Sequence, residues 1–141
     1  MTDSVLRVAA KGLLVYQDRI LILREADTYP EGTNLGSYGL PGGRINPGEP
    51  FMDGLHREIK EETGLKMIPE YPVYVGEWRP VIKDQPHQII AIFYVCKVSS
   101  KKVKLSEEHD KFLWVNPKDY KRYNLMTPDD DVINTYLRMR Q

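Results

Sequence analysis

The chain has a single cysteine and no surplus of charge of either sign, since 20 Lys and Arg offset 20 Asp and Glu. One cysteine excludes an internal disulfide framework, and Cys96 sits in the apolar run IIAIFYVCKV, where a thiol behaves as a small buried hydrophobe. Charge balance excludes the strongly basic footprint that grips a long nucleic acid by its phosphates, though a small phosphorylated ligand stays open. No apolar run approaches the ~20 residues that span a bilayer. The N-terminal MTDSVLRVAAKG also lacks the basic segment and apolar stretch of a secretory leader. These absences predict a cytoplasmic protein with no membrane or long nucleic-acid partner. Repeats, low-complexity tracts and linker-like stretches are missing too. The 141 residues, 41% apolar and 28% charged, therefore read as one domain, 1–141, able to bury a single core.

Within that frame, residues 4–16 and 19–24 are rich in Val, Leu and Ile, and Gln17-Asp18 can turn the chain between them, which predicts a hairpin. Pro and Gly cluster between Tyr29 and Pro50, and residues 26–36 read as an irregular, exposed loop. Pro50 suits a first helical turn and Gly64 the position just past a helix end, bracketing a helix of about fourteen residues. Strands are predicted over residues 73–78, 87–98 and 112–115, the last with Phe112 and Trp114 on a common face. Thr127 suits an N-cap, Pro128 a first turn, and Val132, Ile133, Tyr136 and Leu137 form a helical stripe. Strands, helix, strands, helix, with too few βαβ units for a doubly wound sheet, predict an α/β fold with a mixed sheet and helices packed on it.

The first helix is crowded with acid. Residues 43–65 read GRINPGEPFMDGLHREIKEETGL. With about 100° per residue, Glu58, Glu61 and Glu62 share an arc of about 100°. Leu55, Ile59 and Met52 form an apolar stripe beside them, and Asp53, His56 and Lys60 face water. Gly54 falls inside the acidic arc, where the missing side chain is expected to leave space for a ligand. Like charges three and four residues apart cost a few tenths of a kcal/mol per pair. Two explanations fit. Either the glutamates are solvated and pair with Arg57 and Lys66, or they gather a divalent cation that reverses the sign of the repulsion. Carboxylate and carbonyl oxygens suit Mg²⁺, and Leu40-Pro41-Gly42-Gly43 just upstream supplies a turn whose carbonyls can approach an ion.

The spacing Gly43, five residues, Glu49, seven residues, Arg57-Glu58-Ile59, one residue, Glu61-Glu62, one residue, Gly64-Leu65 resembles the complete Nudix box. The flanking strand and helix order also resembles a small MutT-like Nudix domain. That resemblance implies an α/β/α sandwich with helices on both faces of the mixed sheet. It also implies a pyrophosphohydrolase that cleaves the diphosphate of a nucleoside diphosphate derivative with Mg²⁺ or Mn²⁺. It makes Glu58, Glu61 and Glu62 metal ligands, with the Gly42 carbonyl beside them. Arg57 would orient the glutamates, Glu49 would support the loop or act as an outer ligand, and Glu61 or Glu108 would be the general base or, for Glu108, a further ligand. Arg24 and Arg44 resemble the basic positions that hold substrate phosphates in triphosphate-cleaving relatives. His56, His87 and His109 have no mutual spacing that suggests zinc and read as structural or rim residues.

Met126-Thr127-Pro128-Asp129-Asp130 resembles the acidic turn with which oxidised-purine triphosphatases read the base, making Asp129 and Asp130 substrate-binding candidates. A first-turn aspartate also complements the helix dipole. Trp78, Tyr29 and Tyr38 offer rings on which a base can stack. The implied substrate is a small nucleotide, first a nucleoside triphosphate, plain or oxidised in the manner of 8-oxo-dGTP, cleaved to monophosphate and pyrophosphate. Hydrolysis of ADP-ribose, suggested by Pro80, and a non-catalytic nucleotide sensor are the alternatives, and the protein is expected to be a monomer or homodimer.

Overall fold

The computed structural model describes residues 3–30 and 32–141. Met1 and Thr2 of the N-terminal reading, and Glu31 within the irregular loop, lie outside them. Strands β1 (Val5–Tyr16) and β2 (Arg19–Glu25) form the expected hairpin, turned by Gln17 (φ 46°) and Asp18 (φ 65°). The left-handed pair matches the twist of a tight hairpin. The two strands pair only next to the turn, at Val15 with Ile20 and Tyr16 with Arg19, and then part.

Beyond the turn β1 pairs with β4 (Gly42–Arg44) and runs parallel to β7 (Gln85–Val98), while β2 pairs with β3 (Tyr38–Gly39) and β8 (His109–Val115). Strand β5 (Met67–Trp78) lies antiparallel on the far side of β7, and β6 (Val81–Ile82) makes a small second hairpin with it. The sheet order is β3-β2-β1-β7-β5. It is mixed, as expected, because β1 and β7 are parallel while the other pairs are antiparallel.

Helices α1 (Phe51–Thr63) and α2 (Asp129–Met139) cover opposite faces. On the α1 face Leu55 and Ile59 pack against Ala10, Leu14, Leu21 and Leu23. On the α2 face Val132, Ile133 and Tyr136 pack against Ala9, Leu13, Ile20, Ile22 and Phe93. Alternation along β1 and β2 sends neighbouring residues to opposite cores, so these strands read as continuous apolar runs. No helix of the described residues is long and apolar enough to cross a membrane.

Several local expectations move. Strand β5 starts at Met67 and β8 at His109, both earlier than periodicity suggested, because partner strands extend the pairing past the apolar residues. On β8, Phe112 is 36% exposed, whereas Trp114 packs into the α1-side core. Gly42-Gly43 is part of a strand held on β1 and not a free turn. Pro50 occupies the cap position before α1, and Gly64 closes the helix in the left-handed conformation (φ 73°) with its N–H donating to the Lys60 carbonyl at 2.8 Å. Pro128 caps α2, which leaves Thr127 one residue outside. A 3-10 helix over Pro117–Arg122 was not foreseen.

Candidate active site

Helix α1 carries the acidic face along the rim where β1 and β2 part, and Arg57 organises it. Its Nε and one terminal nitrogen grip both oxygens of Glu49 at 2.8 and 2.9 Å. Its other terminal nitrogen donates to Glu58 at 3.0 Å and to Glu61 at 3.2 Å, and a further bond at 3.2 Å reaches the Arg44 carbonyl. Glu49 also accepts from the Asn46 N–H at 3.0 Å, closing the loop before the helix. These bonds hold the Glu49 carboxyl down at about 2, the Arg57 guanidinium acting first and the Asn46 N–H next. One guanidinium thus ties three carboxylates that would otherwise repel.

Glu62 follows a different course. It is 4% exposed, and its Oε1 accepts from the Gly42 N–H at 2.9 Å. Burial pushes its carboxyl well above the usual range against that hydrogen bond, and the charges of Glu108 and Glu58 push the same way. Glu58 is raised as well, first by burial. Oxygens of Glu62 and Glu108 and a ring nitrogen of His109 all lie within 4.8 Å of one another. His109 Nδ1 is buried with no hydrogen-bond partner among the described residues. Burial, helped by the Lys11 charge, lowers the His109 imidazole to about 4, so it stays neutral near pH 7.

Glycine is required where β4 meets this cluster. Gly42 has φ 140°, and a Cβ there would run into the Ala10 carbonyl and lie 2.5 Å from Lys11 Cα. A Cβ on Gly43 would lie 2.5 Å from Glu58 Oε2. Gly54 departs from expectation. It opens no space for a ligand, because Ile45 Cγ2 and Glu49 Oε1 already fill the volume its side chain would take, at 2.5 and 3.0 Å.

Glu58, Glu62 and Glu108 line one cavity of about 550 Å³ together with Gly42, Gly43, Arg44, Lys11 and Trp78. Tyr29 and Pro80 also reach it; Tyr38 instead stacks edge-on with Tyr123. Arg24 does not line this cavity; its guanidinium pairs with Asp110 at 3.2 Å and Asp27 at 3.6 Å. Asp129 does not line it either. It is fully buried and ion-paired to Lys11 at 2.7 Å, and leaves no carboxylate oxygen at the cavity surface. Asp130 is half-buried, bonded to the Asp131 N–H at 2.9 Å and to Thr127 at 3.5 Å. His109 and Lys11 were missed. For Lys11 the signal was there, a lysine inside the apolar strand VAAKGLLVY, where a buried cation demands a partner.

The NUDIX domain family model matches residues 5–136. The chain belongs to the Nudix family. A nucleoside triphosphatase, NudI, of Escherichia fergusonii is 32% identical over 113 residues, covering 74% of this chain and 78% of that protein. The human 8-oxo-dGDP phosphatase NUDT18 is 38% identical over 80 residues, which cover 57% of this chain but 24% of that larger protein. In structure, the MutT protein of Methanosarcina mazei Go1 superposes with a TM-score of 0.82 at 27% identity, covering 100% of this chain and 99% of that one. The Nudix chain is accordingly a pyrophosphohydrolase, an activity for which this family generally uses a divalent metal.

The side chains present fit such an ion. Two carboxylates and an imidazole converge, an orphaned buried ring nitrogen faces no protein partner among the described residues, and Gly43 lets backbone and carboxylate approach closely. One consequence is testable in the metal-free protein. Raised carboxylates make the folded state bind protons more tightly than the unfolded chain, so their contribution to stability is lost as pH rises from the ordinary carboxylate value of 4.5 upward. His109 acts in the opposite sense. Lowered from 6.5 to about 4, it makes the unfolded chain bind more protons in that window, so its contribution is lost as pH falls through it. Across melting temperatures taken from pH 4 to 8, Glu62→Gln should therefore lose stability less steeply than wild type as pH rises, and His109→Gln more steeply. An unchanged pH slope in Glu62→Gln would refute the assignment of a raised carboxylate.

Proposed function

We propose that this Nudix chain hydrolyses a nucleoside triphosphate to the monophosphate and pyrophosphate, with Mg²⁺, or Mn²⁺ in its place, as cofactor. The observation that carries this reading is the joining of the Glu58, Glu62 and Glu108 carboxylates, the Arg44 cation and the Trp78 ring in one cavity. Acid for a cation, base for phosphates and a flat ring for a nucleobase are the three needs of such a substrate. The NudI relative supports it by name.

In this mechanism Glu58, Glu61, Glu62 and the Gly42 carbonyl would hold the cation, and Glu108 and His109, which lie beside Glu62, would be able to add further ligands. When bound, the ion neutralises the diphosphate, polarises its P–O bonds and lowers the pKa of the attacking water. Arg57 keeps Glu58 and Glu61 aimed, and Glu49 keeps Arg57 in place. Arg44 contacts the phosphates. Glu108 lines the cavity whereas Glu61 is exposed and paired with Arg57, so Glu108 takes the proton of the attacking water and Glu61 would help hold the ion.

The test is a panel of nucleoside triphosphates, 8-oxo-dGTP, nucleoside diphosphates and ADP-ribose, incubated with Mg²⁺ and read by chromatography. Monophosphate with pyrophosphate is the expected product pair. Cleavage confined to ADP-ribose, or ligand-induced stabilisation with no product, would replace this reading with another.

A further inference from the structure

Lys11 is 7% exposed in the centre of β1. It pairs across the sheet with Gly42 on one side and Phe93 on the other. Its Nζ lies 5.5 Å from the Trp78 ring centroid and 5.4 Å from that of Phe93. At 2.7 Å from Nζ is Asp129 Oδ2, and that same oxygen accepts the Leu40 N–H at 2.8 Å. Asp129 Oδ1 is buried with no hydrogen-bond partner among the described residues. Lys11 lines the cavity together with Trp78, and Asp129 does not.

A lysine ammonium has three N–H donors and no acceptor. One is held by Asp129, and the other two, at a residue that lines the cavity, can meet only acceptors. The ammonium already lies over the Trp78 ring, so a base entering the cavity beside these two residues meets the ammonium with its edge. We propose that Lys11 is the specificity-determining residue for the nucleobase and that Asp129 is the positioning residue that holds it. The edge it fits carries a carbonyl oxygen, as in a 6-oxopurine or 4-oxopyrimidine, and it disfavours an exocyclic amine at that position, whose N–H would point at a cation. Adjacent oxygen and ring-nitrogen acceptors are the edge that lysine meets most often on guanine. This inference rests on the reading that the cavity takes a nucleoside triphosphate.

The test compares kcat/KM for inosine with adenosine triphosphate and for uridine with cytidine triphosphate, pairs that differ at the edge in question. Wild type is expected to favour the oxo member of each pair by about ten- to a hundredfold, the range of one charge-assisted hydrogen bond. Lys11→Met should bring both ratios close to unity by raising KM for the oxo substrates. Because that change leaves the Asp129 charge buried and alone, it can unfold the chain. The same ratios are therefore measured in the Lys11→Met, Asp129→Asn double variant, and in Asp129→Asn, which keeps the ammonium and should keep the oxo preference with a higher KM. Equal use of oxo and amino bases by wild type, which needs no variant, overturns the inference. So does an unchanged ratio in the double variant, or a uniform loss on all four substrates, which would make Lys11 a phosphate contact. Failure to cleave any nucleoside triphosphate would remove the reading beneath it, and this inference with it.

Discussion

Glu62→Gln is expected to lower kcat by about a thousandfold, the scale of losing several kcal/mol of charge stabilisation at a metal-assisted phosphoryl centre. The substitution separates catalysis from folding unusually well. Burial already raises the Glu62 carboxyl well above its ordinary range, so a neutral amide mimics the protonated form that the metal-free site favours. Its oxygen can keep accepting the Gly42 N–H. The protein should therefore fold and melt as well as wild type, or better, while losing turnover. Glu61→Gln should cost less, because Glu61 stands exposed and bonds only to Arg57 among the partners described. Steady-state kinetics with the preferred nucleotide, beside thermal melts, decides the matter. A drop smaller than about tenfold for Glu62→Gln would remove it from the centre of the chemistry.

Gly42→Ala should be the most damaging small substitution in the fold. At φ 140° an L side chain is strained by about 1–3 kcal/mol before any contact is considered. The added Cβ would also collide with the Ala10 carbonyl and approach Lys11 Cα, both backbone atoms of a central strand that cannot move aside. A total loss of about 3 kcal/mol or more, lowering Tm by about 10 °C, is expected. Activity should fall further than stability explains, because the shift pulls the Gly42 N–H from Glu62. Gly48→Ala makes the control: Gly48 also has positive φ, yet its Cβ would meet nothing within 4 Å, so only the backbone term remains. Equal melting losses in the two variants would show that crowding at Gly42 contributes nothing.

The acidic helix was legible because its information is local. The period of about 3.6 residues placed Leu55 and Ile59 in the core and left Asp53, His56 and Lys60 in water, and the structure agrees at each of these positions. The same rule placed Val132, Ile133 and Tyr136 correctly on α2. It could not show which acids would meet. Glu58 and Glu61 share Arg57, whereas Glu62 turns to β4 and to Glu108 and His109, a pair delivered by the start of a strand far along the chain. Gly54 was misread for a related reason. A helical wheel shows that a side chain is missing but not that Ile45 and Glu49 fill the gap.

Arg24 and Asp129 show the limit most plainly. Both stand at positions whose resemblance implied substrate contact, and both are taken by partners that sequence order hides: Asp110 for Arg24, and for Asp129 a lysine 118 residues away. By itself the sequence determined the helix, its three faces, the hairpin and the family's chemical grammar, because each depends on neighbours within a few residues and on backbone preferences that need no tertiary partner. Only the tertiary structure decided which charges meet. The parting of β1 from β2 and the parallel docking of β7 set those distances, and electrostatic roles follow from distance and burial, which no local pattern carries.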